Sequence, residues 1–249
     1  MQNKKNQETI DSFPRVRKPL PEEFQKVYAT HYKSNRQGKT SAASMSQKME
    51  SWMHKKVAAD LSKDDLQIKT LEIGAGTLNQ LKYEPQTTYD IIEPFTELFS
   101  DSNQLNRINT IYSDIREIEN RNYDRITSIA TFEHINDLPF VVAKTCLLLN
   151  DGGALRAAIP NEGTILWKLG WMFTTGLEFK LKYNLKYSTL LYHEHVNNAA
   201  DIESVLNFFY FDIKCHVFGV HKKLGLYRYY ECKKPKVEVA QNYLSNYIN

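Results

Sequence analysis

Short apolar runs recur through the middle of the chain and alternate with polar or helical segments. The runs that predict β-strands are 69–73, 88–92, 110–112, 123–131 and 154–159. The apolar segment 138–150 predicts a helix, and Asp151-Gly152-Gly153 predicts a turn before the last of these strands. Strands that alternate with helices are typical of a parallel sheet with right-handed crossovers.

The pattern changes near the C-terminus. The strand-like segments 209–214 and 226–230 follow a predicted helix at 201–208, and no helix separates them. Their connection, 219–225, has a glycine at each end, which is typical of a hairpin. Because a hairpin makes one strand antiparallel, the sequence predicts a mostly parallel α/β sheet that ends in an antiparallel hairpin.

The N-terminal part has a different pattern. Residues 1–20 are polar and show no period, which predicts a loose tail or strap. A helix is predicted to start at Pro21, and a second, over about 43–60, carries an apolar stripe at helical spacing. We therefore predict an N-terminal tail and helical cap over 1–62 and an α/β domain over 63–249.

Composition narrows the class of protein. The chain has 249 residues, a net charge of +3 and scattered basic residues, so it carries no strong nucleic-acid signal. Its cysteines, Cys146, Cys215 and Cys232, lack CxxC spacing, which predicts reduced thiols in the cytoplasm and argues against a zinc site. No run approaches the ~20 apolar residues of a transmembrane segment, and the N-terminus lacks the apolar core of a signal peptide.

Acidic residues occur near the ends of three predicted strands. Glu72 leads into a turn that holds Gly74 and Gly76, while Glu93 and Asp114 end the next two strands. A strand, a glycine turn and a following helix are the usual nucleotide site of an open α/β sheet. An acid after the second strand can accept hydrogen bonds from both ribose hydroxyls, and one after the third could accept from the adenine amine.

The spacing of the glycines favours one nucleotide cofactor over another. A dinucleotide site needs a third glycine where its helix packs on the strand, but that position is Asn79. A carboxylate before the turn, such as Glu72, suits a cofactor that carries an ammonium group. The turn therefore favours S-adenosylmethionine over a nicotinamide dinucleotide.

The segments LEIGAGT, DIIEP, YSDI and LLLNDGG, within about 65–235, together resemble the successive motifs of the class I S-adenosylmethionine-dependent methyltransferases. The resemblance implies a Rossmann-like, seven-stranded sheet, S-adenosylmethionine as cofactor and S-adenosylhomocysteine as product. A glycine that is frequent in the family is Leu78 here, at a position that varies. The cofactor residues implied are Glu72, Gly74, Ala75, Gly76 and Thr77 at the turn, Glu93 with Pro94 at the ribose, Asp114 with Ile115 at the adenine, and Thr131 with Phe132 beside the methionine and sulfonium.

Two clusters of histidine and glutamate are candidates for acid–base chemistry. Glu133 and His134 follow the fourth strand, while His193 and His195 precede the helix at 201–208. Histidine is the usual general base near neutral pH, so we predict that these residues deprotonate or orient the methyl acceptor. In the structural alternative, His134 caps a helix and the later pair lies in a partly exposed loop.

The same clusters leave a divalent metal ion open as an alternative. A metal held by Glu133, His134 and a later histidine would lower the pKa of an acceptor hydroxyl and orient it for attack. Methyltransferases that act on the terminal ribose of small RNAs resemble the chain at this point. Their first glutamate corresponds to Ala130, so one ligand is missing, which favours chemistry without a metal.

Residues 163–190 are an insertion relative to the minimal fold, at the edge of the sheet where acceptors bind. Packing against the N-terminal helices is the favoured interpretation. A lid over a bulky or lipid-linked acceptor and an interfacial helix are the alternatives. The lysines and aromatic residues of the insertion would suit a phosphorylated sugar or a nucleotide-sugar.

The sequence thus predicts methyl transfer to oxygen on a small polar acceptor such as a sugar or nucleotide-sugar, a carbohydrate modification. Arg36 is a candidate for the carboxylate of the cofactor, and the N-terminal helices and the insertion would close a dry pocket. The alternatives are a metal-assisted ribose or RNA 2'-O-methyltransferase, a nicotinamide-dependent oxidoreductase and a non-catalytic S-adenosylmethionine-binding subunit. An amine acceptor is also left open.

Overall fold

A computed structural model describes residues 2–27, 43–62, 65, 67–85 and 88–247 of the chain. The strands in these residues are β1 Lys69–Ile73, β2 Thr88–Ile92, β3 Ile108–Tyr112, β4 Tyr123–Ile129, β5 Leu149–Pro160, β6 Tyr210–Gly219 and β7 Gly225–Pro235. They form a seven-stranded sheet in the order β3-β2-β1-β4-β5-β7-β6. Strands β1 to β5 are parallel, and β7 is antiparallel to both β5 and β6. The predicted fold class is therefore confirmed.

The helices complete the architecture. They are α1 Gln2–Ile10, α2 over 22–27, α3 Ala43–Val57, α4 Leu138–Leu148, α5 Ile165–Trp171, α6 Leu177–Tyr183, α7 Tyr187–Glu194, α8 Ala199–Phe209 and α9 Val237–Tyr247. Helices α1, α4, α8 and α9 contact one another on one face of the sheet. Helix α3 packs on the other face, where its residues Met53 and Val57 form a core cluster with Ala158 of β5. The neighbouring Ala157 belongs to the main cluster, and successive residues of a strand point to opposite faces of the sheet.

The connections in the first half of the sheet contain less α-helix than the sequence predicts. In the described parts of the segments that join β1, β2, β3 and β4, the helical turns are 3₁₀ turns and not α-helices. The turn after β1 thus leads into a 3₁₀ turn at Asn79–Lys82, where a helix was expected. Apolar residues of these connections, among them Leu81 and Phe99, are buried without a longer helix.

The predicted turn at Asp151-Gly152-Gly153 is wrong. Helix α4 ends at Leu148, and the strand already begins at Leu149. The register with β4 changes there, since Tyr123 pairs with Leu149 whereas Arg125 pairs with Ala154. The three residues are thus a bulge inside β5, and the glycines allow it because Gly152 has a φ of +80°.

Residues 2–10 differ from the predicted loose tail or strap, because they form a helix. Helix α1 packs against α8, and Ile10 belongs to the main core cluster. Residues 11–20 then cross the protein surface as a strap: the amide of Arg15 donates to the carbonyl of Asn136 at 2.7 Å. A single buried apolar residue is too little for a periodic pattern, which explains why the sequence did not indicate the helix.

Candidate active site

The glycine turn after β1 lies directly against the end of β4. Gly74 has a φ of +73°, and a Cβ added there would lie 2.3 Å from Cγ2 of Thr131. The hydroxyl of Thr131 lies 3.3 Å from the carbonyl of Gly74 and 3.1 Å from that of Ile129, either of which can accept its hydrogen bond. Only glycine fits this contact, and the approach joins the turn to the segment that follows β4.

Two residues at this edge adopt the left-handed conformation although they are not glycine. Leu78 has a φ of +62° and Ala130 has a φ of +49°. Leu78 stands where the methyltransferase family often has its third glycine, so the backbone retains the glycine conformation without the glycine. Its complete burial holds it there. Such strain costs about 1–2 kcal/mol per residue and clusters at functional sites.

Glu93 connects the ends of β1 and β2. Its carboxylate is buried, and Oε2 accepts a hydrogen bond of 2.8 Å from the amide of Gly76. Oε1 accepts one of 3.1 Å from the amide of Phe95. A carboxylate has about four lone-pair sites, so each oxygen keeps one for a ligand such as a ribose. Pro94 is exposed beside it, while Ala75 is buried in the adjoining core cluster.

Glu72 lies in β1 just before the glycine turn, and its side chain contacts β2. It is buried in β1, where the hydroxyl of Tyr89 donates to Oε2 at 2.9 Å. Burial raises the pKa of Glu72 to about 8, so the carboxyl is mostly neutral at pH 7. That Glu72 faces an ammonium group of the cofactor stays a prediction.

The other predicted cofactor residues are placed as follows. Asp114 caps a 3₁₀ turn: Oδ1 accepts from the amide of Arg116 at 2.8 Å, and Oδ2 pairs with its guanidinium at 2.9 Å. Ile115 and Phe132 are buried in the main core cluster. Thr77 is half-buried beside the glycine turn. Arg36 lies outside the described residues.

Glu133, His134, Glu162 and His195 are here called the acid–base cluster. Glu133 is its most deeply buried carboxyl. It is 2% exposed, and its Oε2 has no hydrogen-bond partner among the described residues. Burial raises the pKa of Glu133 to about 7, although the positive charge of His195 opposes the shift. The backbone carbonyl of Glu133 accepts from the amides of Val196 and Asn197, at 2.8 and 3.1 Å. The segment after β4 and the segment after α7 are thereby held together.

His195 lies beside this carboxyl and forms a second ionisable pair. Its Nδ1 hydrogen-bonds with Oε1 of Glu162, which leaves Nε2 for proton transfer. Burial lowers the pKa of His195, but the hydrogen bond and charge of Glu162 outweigh it, with help from Glu133 and Glu194, so that the net shift is upward. The ring of His134 packs edge-on against that of His195, with centroids 4.6 Å apart.

His134 and His193 have other hydrogen bonds. Nδ1 of His134 donates to the carbonyl of Glu194 at 3.1 Å. Nδ1 of His193 donates to the carbonyl of Lys18 at 2.6 Å, so the strap holds this residue. The structure thus brings Glu133, His134 and His195 together. Within the ranges that the structure describes, no group of three or more His, Cys, Asp or Glu residues could hold a metal ion.

Three residues of this region were not predicted as site residues. Glu162 lies two residues after β5, at the same carboxyl edge of the sheet as Glu93 and Asp114. Tyr227 of β7 is partly buried, and this burial, together with the charge of Glu133, raises its pKa. Trp167 of α5 packs edge-on against Tyr227, with centroids 5.4 Å apart. Glu162 could have been found by the same criterion as Glu93 and Asp114, namely an acid just after a predicted strand. The two aromatic residues meet only through the tertiary fold.

No protein-family model and no curated protein sequence matches the chain. Solved structures do match. The plantazolicin methyltransferase BpumL, solved with SAH, has a TM-score of 0.57 at 15% identity over 94% of this chain and 99% of that one. The CurJ carbon methyltransferase has a TM-score of 0.55 at 17% identity, over 85% and 61%. An O-methyltransferase family protein from Burkholderia thailandensis has a TM-score of 0.53 at 15% identity, over 93% and 69%. The chain therefore has the class I S-adenosylmethionine-dependent methyltransferase fold.

Proposed function

We propose that this protein is an S-adenosylmethionine-dependent methyltransferase that uses His195 as its general base. One observation carries the proposal: Thr131 touches the glycine turn, and two residues later Glu133 belongs to the buried acid–base cluster. A cofactor on the turn and an acceptor at the cluster would therefore meet at the end of β4. The carboxyl ends of parallel strands are where open α/β sheets bind ligands.

The residues at the turn fit the parts of this cofactor. The main chain of Gly74 to Thr77 would lie along the methionine, and Glu93 would accept from the ribose hydroxyls. Asp114 and Ile115, after β3, would flank the adenine. The sheet order adds support, because a doubly wound dinucleotide fold has the order 3-2-1-4-5-6, without the antiparallel strand that stands between β5 and β6 here. When bound, the cofactor supplies a methyl group on a cationic sulfur.

The acid–base cluster suits an acceptor with a hydroxyl group. Nε2 of His195 would take the proton of the acceptor, and Glu162 would stabilise the imidazolium through Nδ1. Oε2 of Glu133, which has no partner among the described residues, would accept a second hydrogen bond from the acceptor. Glu133, Glu162 and His195 would thus suffice to deprotonate and orient the acceptor without a metal ion. The missing metal ligand at Ala130 also favours chemistry without a metal.

A small polar acceptor such as a sugar matches these groups. Glu133 and Glu162 can hydrogen-bond to hydroxyls, while Trp167 and Tyr227 offer aromatic surface to the C–H face of a ring. Lys168, Lys180 and Lys182 are exposed, and they do not contribute to the cluster. We therefore propose O-methylation of a neutral sugar in preference to a nucleotide-sugar. Closure by the N-terminal segment 1–62 belongs to the same proposal, since the strap already hydrogen-bonds to residues of the site.

Titration calorimetry of the protein with S-adenosylmethionine, S-adenosylhomocysteine and NADH tests the cofactor. We expect micromolar binding of both adenosyl ligands and no binding of NADH. Glu93→Ala should lower the affinity for S-adenosylhomocysteine at least about tenfold, because a charge-assisted hydrogen bond contributes about 1.5–3 kcal/mol. Glu97→Ala, an exposed acid on the next turn, is the matched control and should change nothing. Binding of NADH alone would overturn the proposal.

Transfer of labelled methyl from S-adenosylmethionine to a panel of free sugars, nucleotide-sugars and amines tests the base. His195→Ala should lower turnover by about 10²–10⁴-fold and leave the affinity for S-adenosylhomocysteine within about twofold. The exposed His221→Ala is its control. Equal losses of cofactor affinity in His195→Ala and Glu93→Ala would show that the two roles are wrongly assigned.

A further inference from the structure

Helices α5 and α6 carry an apolar face that the described part of the protein does not cover. They are joined by a π-helical turn, Met172–Gly176, into one continuous helix from 165 to 183. Ile165, Phe173 and Leu181 are 78%, 72% and 79% exposed. The exposed apolar side chains of this helix are Ile165, Leu166, Leu169, Met172, Phe173, Leu177 and Leu181, here called the outer stripe.

The opposite face of the same helix is packed. Trp167 contacts Tyr227, and Trp171 contacts Tyr187. Phe179 is buried and belongs to a core cluster with Phe24 of α2, which confirms that part of the insertion packs on the N-terminal helices. These aromatic contacts fix the orientation of the helix. The outer stripe, on its other face, therefore points away from the described part of the protein.

The π-helical turn keeps the outer stripe on one side. Exposed residues recur at 165, 169 and 173, four residues apart, and again at 177 and 181. In an uninterrupted α-helix a four-residue repeat drifts around the axis, because one turn takes 3.6 residues. The wider π turn between them compensates for that drift. Such turns are frequent at functional sites.

The charges on this helix have one predominant sign. Its exposed lysines are Lys168, Lys180 and Lys182, while Glu178 is the one acid between 165 and 183. An amphipathic helix with lysines beside exposed Leu, Ile and Phe is the pattern of interfacial helices that lie on anionic lipid. A protein partner could also cover the outer stripe, but it would need an apolar groove of matching shape with an acidic rim. An anionic bilayer needs no such groove, because its surface can take up the full length of a convex stripe.

The tip of the β6–β7 hairpin lies at the same end of the protein. The side-chain amide of Asn161, at the end of β5, donates to the carbonyls of Lys222 and Gly225 at 2.7 Å each. The tip carries Val220 and Leu224, which are both exposed. None of the helices in the described ranges is both long and apolar enough to span a bilayer. Any membrane contact through these residues would therefore lie in the plane of the surface.

We propose that the outer stripe docks the protein on anionic bilayer surfaces. The apolar side chains enter the boundary between headgroups and acyl chains, and the three lysines contact anionic headgroups. This inference concerns a surface outside the acid–base cluster and is independent of the methyl-transfer proposal.

Co-flotation of the purified full-length protein with vesicles tests it. One set contains phosphatidylcholine alone, and the other contains phosphatidylcholine with phosphatidylglycerol at 7:3. We expect binding to the anionic vesicles that falls with added salt, and much weaker binding to the neutral ones. Phe173→Ser/Leu181→Ser should reduce the partition coefficient more than about tenfold. Lys180→Gln/Lys182→Gln should reduce it about fivefold per lysine, on anionic vesicles only.

Phe211→Ser is the matched control, because Phe211 is equally exposed but lies on β6. It should bind like the unchanged protein, and unchanged thermal unfolding of each variant shows that its fold is intact. Absence of binding to anionic vesicles, or binding that Phe173→Ser/Leu181→Ser leaves intact, overturns the proposal. Light scattering that shows a dimer lost in the same variant, without vesicle binding, would assign the stripe to a second copy of the chain and also overturn it.

Discussion

At the scale of single residues, Glu133 combines deep burial with an oxygen that has no partner in the described residues. An unpaired buried charge is costly, so such a group lowers the cost by binding a proton. Its pKa of about 7, against an ordinary value of 4.5, follows from this burial. A group that destabilises the fold but can exchange a proton near neutral pH is typical of a functional site.

The first prediction concerns how Glu133 links pH to stability. Its pKa is raised by folding, so the folded state binds the proton more tightly than the unfolded state does. Its contribution to stability is complete below about pH 4.5 and is lost as pH rises to about 7. The loss amounts to about 3 kcal/mol at pH 8. Glu133→Gln should therefore raise the free energy of unfolding at pH 8, by about 1–3 kcal/mol, and have little effect at pH 4.5.

Urea denaturation at the two pH values measures this effect. Glu97→Gln, an exposed acid, should leave the pH dependence unchanged. Turnover of Glu133→Gln should fall although the protein is more stable, which separates a role in function from a role in folding. A loss of stability at pH 8 would instead mean that the ionised carboxylate has a partner in the folded protein.

At the scale of elements, the contact between the glycine turn and the end of β4 makes the second prediction. Gly74→Ala introduces both left-handed strain and a clash with Thr131, which together should cost about 2–4 kcal/mol. Thr131→Ala removes the two nearest atoms, so the double variant should recover at least about 1 kcal/mol. Chemical denaturation of the four proteins in this double-mutant cycle gives the coupling. Additive losses would show that the turn and β4 do not touch in solution.

The strands could be predicted because their signals are local. Runs at 88–92 and 69–73 match β2 and β1, since each has apolar residues bounded by polar turns. The bulge in β5 could not be predicted, because the glycines at 152 and 153 signal a turn as strongly as a bulge. The 3₁₀ connections and α1 were also missed, since short or weakly apolar helices depend on tertiary packing more than on their own pattern.

In the candidate site, too, some features follow from local sequence signals and others depend on the tertiary fold. Glu93, Glu133 and His195 stand at strand or helix ends, where the order of elements already indicates a shared edge. The pairing of His195 with Glu162 joins residues 33 positions apart through the insertion, and no spacing rule encodes it. Alternation along β1 directs the side chain of Glu72 to Tyr89, a contact that its position before the glycine turn does not indicate.

At the scale of the whole molecule, the core joins both ends of the chain to the sheet. The main core cluster includes Ile10 of α1, Ala240 of α9 and residues of β1, β4, β5 and β7. The strap that follows α1 then reaches the site, where the guanidinium of Arg17 donates to the carbonyl of His134 at 2.6 Å. The N-terminal segment is therefore part of the cooperative fold, and its stability should follow that of the sheet.

The last prediction tests that cooperativity. Ile10→Ala should lower the free energy of unfolding by about 2–4 kcal/mol, because a fully buried isoleucine leaves a cavity when it is truncated. Val16→Ala, in the exposed part of the strap, should change it by less than about 0.5 kcal/mol. Urea denaturation followed by tryptophan fluorescence and by circular dichroism should give one coincident transition for each variant. A small effect of Ile10→Ala, below that of Val16→Ala, would mean that α1 detaches before the sheet unfolds. In that case the strap would hold His134 and His193 only part of the time, and closure of the site would need a ligand to order it.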